Sequence, residues 1–250
     1  MPQGSILGPL LFLLYINDII SASSVLLPIL FADDTNIFLE DKDVNNVITR
    51  MNTEILNIID WINANKLSLN VSKTKYMIFH TQGKSVASNL TVNINDKTID
   101  KVNHIKFLGV EIDSKLNWSE HIKVVKKKIS KGIGIISKAR KVLNVSTLLT
   151  LYNCFINPYL TYGIEVWGKA ADCHINSLVV LQKRAIRIIT SAEFRAHTEP
   201  LFKSLNILSL KKIYLFNLGM LMYKSENSLV PNINKDMLKK IIVYTVATLD

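Results

Sequence analysis

Near residue 114 the chain changes its hydrophobic period, and no other feature constrains its fold as much. Before that point apolar residues fall into short alternating or continuous runs separated by polar turns, with two helical stretches among them. From about Asn117 onward they recur at helical spacing, with breaks near Asn144, Pro158, Gly168, Pro200 and Pro231. A chain of 250 residues with 48% hydrophobic content can bury a sizeable core, which argues against wholesale disorder. The expectation is an α+β part to about residue 113 followed by a largely α-helical part.

Within the first part, Pro9 can occupy a first helical turn, where its missing N–H costs nothing. Residues 9–20 are apolar nearly all round, the pattern of a fully buried helix. The apolar run Ile6–Ile16 falls well short of the roughly 20 residues that a membrane span needs. No basic segment precedes it, as a signal peptide would require. Val25–Leu30 and Asn36–Leu39 then flank Phe31-Ala32-Asp33-Asp34, which reads as strand, tight turn, strand with the acids at the tip. Asp43 can cap a helix over 44–64 that carries Val47, Met51, Ile55, Ile58 and Ile62 on one face, and Asn63-Ala64-Asn65 ends it. Leu67, Leu69 and Val71 alternate as a strand, and Tyr76–Phe79 reads as another. Residues 81–104, with Leu90, Val92 and Ile94, suggest a hairpin. Lys106–Ile112 is a further strand, with Gly109 marking a bend or a close backbone approach.

Charge is unevenly placed. Residues 1–50 carry six acids against Lys42 and Arg50, a balance of −4, which leaves +14 on the other 200. An acidic segment joined to basic ones suits a metal–phosphate centre flanked by nucleic-acid-binding surfaces; ordinary solubilising charge is the plainer reading. Nine basic residues lie between Lys115 and Lys141, where Glu120 is the only acid after Asp113. Ile122, Val125, Ile129, Ile133 and Ile136 recur there at helical spacing. One face therefore packs, and Lys123, Lys126, Lys127, Lys128 and Lys131 are left to track a phosphate backbone or simply to be solvated. Lys183, Arg184 and Arg187 form a second, weaker cluster of the same kind, and Trp118 is expected in the core rather than stacked on a base. Cys154 and Cys173 lack metal-type spacing and the five histidines are scattered, so no zinc site is expected and the thiols read as reduced and intracellular.

Adjacent carboxylates on a hairpin tip suit Mg²⁺, a hard ion that takes carboxylate oxygens and keeps places for water and phosphate. An Asp-Asp pair alone is equally a solvated turn. Gln3-Gly4-Ser5 stands one helix ahead of it: glycine lets the main chain approach a substrate closely, and glutamine offers both a donor and an acceptor.

Taken together these residues resemble the reverse transcriptases of non-LTR (LINE-type, jockey-like) retrotransposons. Pro2–Phe12 with Tyr15–Ile19 resembles motif B, Phe31-Ala32-Asp33-Asp34 motif C, Lys66–Lys75 motif D, and Phe107-Leu108-Gly109-Val110 motif E, the primer grip. Leu151-Tyr152, Pro158-Tyr159, Tyr162-Gly163, Trp167-Gly168 and Leu181–Ala185 are similar to the region after the palm, so the likeness spans nearly the whole chain.

The resemblance implies a right-hand polymerase palm over 1–113, an antiparallel sheet with packed helices, then a helical thumb over 114–165 and a helical extension over 166–250. It implies RNA-templated addition of dNTPs to a DNA primer, with Mg²⁺ or Mn²⁺ held by Asp33 and Asp34. Gln3, Gly4, Ser5, Phe31 and Ala32 would contact nucleotide and template, Lys73 would assist pyrophosphate departure, and Phe107, Leu108 and Gly109 would grip the primer. The acids should lie in a cleft beside the Gln3–Gly4 loop. The strand bearing a further metal-binding aspartate, the fingers and the endonuclease would lie upstream of Met1, so the chain is expected to be a nearly inactive fragment. An intracellular site, nuclear or cytoplasmic, follows. A non-catalytic nucleic-acid-binding remnant, an intron-encoded maturase-type enzyme and a membrane-surface helical protein remain as alternatives.

Overall fold

The computed structural model describes residues 4–81, 90–95 and 97–230. They fall into two units, Met1–Ile105 and Lys106–Asp250. The first opens with α1 (Leu7–Ile16), which continues as a 3₁₀ segment over Asn17–Ala22. The helix forms, but the expected burial does not. Leu7, Leu10, Leu11, Leu13, Leu14 and Tyr15 are exposed; Ile16 is buried and Phe12 partly so. All-round apolarity buries a helix only where neighbours surround it, and within this unit packing reaches α1 along one edge.

Ser23 fixes the entry to the next element. Its hydroxyl accepts the N–H groups of Val25 and Leu26, both at 3.1 Å, and donates to Glu54 at 2.7 Å. Strands β1 (Leu27–Phe31) and β2 (Asp34–Phe38) then pair antiparallel, from Leu27 opposite Phe38 to Phe31 opposite Asp34. Alternation turns Pro28 and Leu30 inward and leaves Leu27, Ile29 and Phe31 facing out. Helix α2 (Val44–Ala64) starts at Asp43, whose carboxylate accepts the Asn45 N–H. It buries Ile48, Ile55, Ile58 and Ile59, a stripe rotated slightly from the expected one, with Met51 and Ile62 at its margin. The Tyr15 hydroxyl donates to the Asn65 carbonyl at its end.

The expected strand over Leu67–Val71 is a loop. Asn70 organises it: its carbonyl accepts the N–H groups of Lys73 and Thr74 at 3.1 Å each, and its side-chain oxygen accepts the Ser72 hydroxyl at 2.7 Å. Such local bonds compete with a strand ladder. Four short strands follow: β3 (Lys75–Tyr76), β4 (Asn93–Ile94), β5 (Lys97–Thr98) and β6 (Asp100–Lys101). Strand β3 pairs parallel to β6 and β4 antiparallel to β5, so only Tyr76 of the expected Tyr76–Phe79 strand joins a ladder. Part of the expected 81–104 hairpin lies outside the described residues.

Strands β7 (His104–Phe107) and β8 (Val110–Asp113) pair across Leu108-Gly109. The single strand expected over 106–112 is thus a hairpin, and its reversal uses positive φ at Leu108 (44°) and Gly109 (86°). The buried Asp113 carboxylate then accepts the N–H groups of Lys115, Asn117 and Trp118 at 2.8–3.1 Å and shapes the turn into α3 (Ser119–Ala139). Trp118 packs against the core, as expected. After α3 come α4 (Val145–Phe155), α5 (Asn157–Thr161), α6 (Ile164–Trp167), α7 (Asp172–Ile189), α8 (Glu199–Ser204) and α9 (Leu210–Glu226). Helix boundaries fall near Asn144, Pro158, Gly168 and Pro200 as the sequence suggested, the two prolines sitting in first turns; Pro231 lies outside the described residues.

Helix α3 buries all five of its expected apolar residues against Leu148, Tyr152, Trp167 and Leu178. Gln182, wholly buried, donates to the Tyr152 hydroxyl (2.9 Å) and the Leu208 carbonyl (3.0 Å) and accepts the Leu210 N–H (2.8 Å). That satisfies a polar side chain which would otherwise be costly to enclose. Among the described residues no helix is long and apolar enough to cross a membrane.

Candidate metal and nucleic-acid sites

Ala32 and Asp33 alone connect β1 to β2, and Ala32 takes a φ of 52°. A non-glycine residue pays roughly 1–2 kcal/mol in that region, so the tight reversal is held at some strain. Every residue from Phe31 to Thr35 is exposed. Among the described residues neither Asp33 nor Asp34 has a hydrogen-bonded or ion-paired side chain. Their oxygens are therefore available to an external cation.

The donor type fits Mg²⁺, which commonly takes one or two carboxylates and fills its other positions from water and phosphate. Among the described residues no group of three or more His, Cys, Asp or Glu could hold a metal. The enclosed cleft expected around the acids is not formed by this unit: the tip stands open because only the root of the hairpin, at Leu26 and Pro28, is buried.

The other expected residues fall as follows. Gln3 lies outside the described residues; Gly4 has a φ of 89° and Ser5 is half-buried. Lys73 is exposed in the Asn70 turn and forms no ion pair with either acid. Phe107 is half-buried, while Leu108 and Gly109 are exposed at the β7–β8 turn.

On α3, Lys123, Lys126, Lys127 and Lys131 converge with Ser130 around an open groove of about 550 Å³. Their spacing places them on the face opposite the buried isoleucines. Lys123 also pairs with Glu120 at 2.6 Å. Lys128 is set apart from that groove, its ammonium 4.9 Å from the centre of the Tyr159 ring. A cation held there is partly committed to the aromatic face.

Two polar residues escaped the sequence reading. Asp113 carried a usable signal, an aspartate leading a short polar stretch before a helix. His121 carried none. It is buried, its Nδ1 accepts the Glu111 N–H at 3.2 Å, its ring centre lies 5.4 Å from that of Trp167, and its Nε2 is without a partner among the described residues. Burial, aided by the positive charge of Lys128, holds its pKa below the ordinary value of 6.5.

Residues 1–112 match the reverse transcriptase (RNA-dependent DNA polymerase) family. The chain is 27% identical over 215 residues to the probable RNA-directed DNA polymerase from transposon X-element of Drosophila melanogaster, covering 83% of this chain and 23% of that protein. It is 25% identical over 218 residues to the RNA-directed DNA polymerase from mobile element jockey of the same fly, with the same shares covered. Residues 1–112 are thus a reverse transcriptase segment, and the chain is similar to the RNA-directed DNA polymerases of non-LTR retrotransposons.

A third relative is the retrovirus-related Pol polyprotein from type-1 retrotransposable element R1 2 of Nasonia vitripennis, 30% identical over 181 residues that cover 66% of this chain and 42% of that protein. The chain spans 23% of the length of the X-element and jockey relatives. No solved structure matches it. Both the acidic hairpin and the β7–β8 turn lie within the family match, whereas the lysine groove lies beyond it.

Proposed function

We propose that this chain is the motif B-to-E palm portion (1–113), the thumb (114–165) and a helical extension (166–250) of an RNA-directed DNA polymerase. The reaction is addition of dNTPs to a DNA primer on an RNA template. The observation that carries this reading is the family match over residues 1–112 together with two adjacent unpaired carboxylates inside it, Asp33 in the two-residue turn and Asp34 opening β2.

Asp33 would be a metal ligand and Asp34 a metal-proximal acid for Mg²⁺, or Mn²⁺ in its place. When bound, the metal supplies activation of the 3′ hydroxyl and charge neutralisation at the triphosphate. The chain's own residues do the rest. Gly4 lets the backbone pass close to the incoming nucleotide, flanked by Gln3 and Ser5, while Phe31 and Ala32 line the same substrate. Lys73 offsets the negative charge of the leaving pyrophosphate. Phe107, Leu108 and Gly109 support the primer end, and Lys123, Lys126, Lys127 and Lys131, with Lys128 beside them, hold backbone phosphates.

A further acid from outside these 250 residues completes the metal site. Three observations support this: the two-carboxylate set, the exposed apolar surface of α1 and β1, and the 23% of relatives' length that the chain spans. Large exposed apolar surface marks a place for a partner. Primer extension on an RNA template is the test. The chain by itself gives product near background, and joining it to the preceding polymerase segment restores synthesis. Robust synthesis by residues 1–250 alone defeats the fragment reading.

A second reading, a nucleic-acid-binding remnant without turnover, is favoured by the lysine groove being complete within the chain. Metal dependence separates the two: binding to a hybrid duplex survives EDTA, whereas polymerisation does not.

A further inference from the structure

We propose that Tyr162 is a positioning residue for the β7–β8 turn, holding Leu108 and Gly109 in the conformation that supports the primer 3′ end. The proposal rests on the primer-grip reading of that turn given above.

The turn cannot hold itself. Both of its residues have positive φ, 44° at Leu108 and 86° at Gly109, and both are exposed. A left-handed leucine is unfavourable in isolation, so its conformation has to be imposed from outside. Tyr162 imposes it. Its hydroxyl donates to the Leu108 carbonyl at 2.5 Å, a bond between residues 54 positions apart. Its ring lies so close to Gly109 that a Cβ there would meet Cε1 at 3.2 Å.

Tyr162 is anchored in turn. The indole N–H of the fully buried Trp167 donates to the Tyr162 carbonyl at 2.9 Å. Gly163, with a φ of 61°, passes so close to β8 that a Cβ would lie 3.3 Å from Val110 Cγ2. The Trp167 ring also lies 5.4 Å, centre to centre, from His121, which accepts the Glu111 N–H at 3.2 Å. The turn is thus held at the Leu108 carbonyl by Tyr162 and at the Glu111 amide by His121, and Trp167 touches both holders.

This arrangement does little for stability at the surface end. Tyr162 is 57% exposed, and a solvent-facing hydrogen bond contributes little to folding. Its effect falls instead on where two exposed backbone groups stand. Backbone N–H and C=O groups fixed in this way can meet a sugar–phosphate terminus without reading its base. Positional error of about an ångström at such a point is enough to impair transfer.

The test uses the full chain bound to an RNA-template/DNA-primer hybrid whose primer ends in 4-thiothymidine. Photo-cross-links are mapped to peptides, and amide exchange at residues 109–111 is followed in the same samples. The parent chain is expected to cross-link within 107–110. Tyr162→Phe keeps the ring and is expected to lower that cross-link about threefold or more and to speed turn exchange several-fold. Hybrid affinity, set by phosphate contacts elsewhere, stays within about twofold. Equal cross-linking in parent and variant overturns the positioning role, whatever the exchange does. A parent chain that fails to bind the hybrid, or cross-links elsewhere, overturns the primer-grip reading and this proposal with it.

Discussion

Among the described residues the first unit buries ten apolar side chains in its core, while the second buries twenty, ten of them with no exposed surface. The first unit also leaves the leucines of α1 and the outer face of β1 in solvent. The second carries a fully satisfied Gln182 at its centre and an Asp113 that accepts three backbone amides. The residues that resemble motifs B, C and D therefore sit on the unit with the smaller buried core, and the better-packed unit holds the β7–β8 turn and the lysine groove. A polymerase assembled from several segments would show this division, because an active site made where segments meet leaves each contributor with unfinished surface.

The comparison is broken most directly at the acids. In an assembly that polymerises, Asp33→Asn should lower the rate by about 10³-fold or more, since each carboxylate helps place charge worth several kcal/mol. The same change should leave hybrid binding and thermal unfolding of the chain unaltered, because Asp33 is exposed and unpaired. A loss of stability instead would make Asp33 a structural residue.

Packing gives the next largest effect. Trp167→Ala should destabilise the second unit by about 4 kcal/mol, and Ile58→Ala the first by about 2–3 kcal/mol, measured by denaturant unfolding with exchange resolved by unit. Gln182→Leu should cost about 3 kcal/mol, because it strands the Tyr152 hydroxyl, the Leu208 carbonyl and the Leu210 N–H together. Equal losses at Trp167 and Ile58 would remove the contrast between the cores.

At the lysine groove, Lys126→Ala with Lys127→Ala should reduce the slope of log affinity against log salt by about 2, close to one per phosphate contact. Lys128→Ala should change it less, because that ammonium lies over Tyr159. Titrating binding across a tenfold range of salt reads both. A flat response throughout would remove phosphate tracking from this unit.

Much of this was legible in the sequence, but unevenly. The acidic hairpin, the Asp43 cap and the buried face of α3 follow from local rules, and each formed where turn chemistry or period required. What failed depended on neighbours distant in sequence. Periodicity reports that α1 is apolar, not whether anything lies beside it. The Leu67–Val71 alternation lost to Asn70, whose carbonyl accepts the Lys73 and Thr74 N–H groups and whose side-chain oxygen also accepts from Lys73 N–H and the Ser72 hydroxyl. Leu108-Gly109 lacks the usual asparagine or aspartate of a hairpin turn, and its geometry is imposed by Tyr162 from across the unit. The acidic hairpin was legible by type and flanks; the cleft expected beside it was not, since within this unit every residue from Phe31 to Thr35 is exposed.

A smaller effect separates the units by pH. The folded pKa of His121 lies below 6.5, so as pH falls through that value the unfolded chain takes up a proton that the folded second unit resists. Stability from this group is complete above about pH 6.5 and declines below it. Tyr152, pushed up to about 12 by burial, acts at the other end: stability falls as pH rises past 10, where only the unfolded phenol ionises. His121→Gln should flatten the acid limb of a Tm-against-pH curve for the second unit. An unchanged limb would assign the acid loss to other groups.

The smallest expected change probes the surface that defines the contrast. Leu10 and Leu14 are 55% and 67% exposed on α1, so replacing both with Gln should shift unfolding of the chain by no more than about 0.5 kcal/mol. The consequence should appear in association, since removing apolar side chains from an exposed face raises solubility. In an assembly containing the preceding polymerase segment, the same pair should weaken association by much more, because there the leucines would be covered. A large destabilisation of the isolated chain would mean that α1 is already packed. The two units would then be equally self-contained, and the segmented active site would lose its structural support.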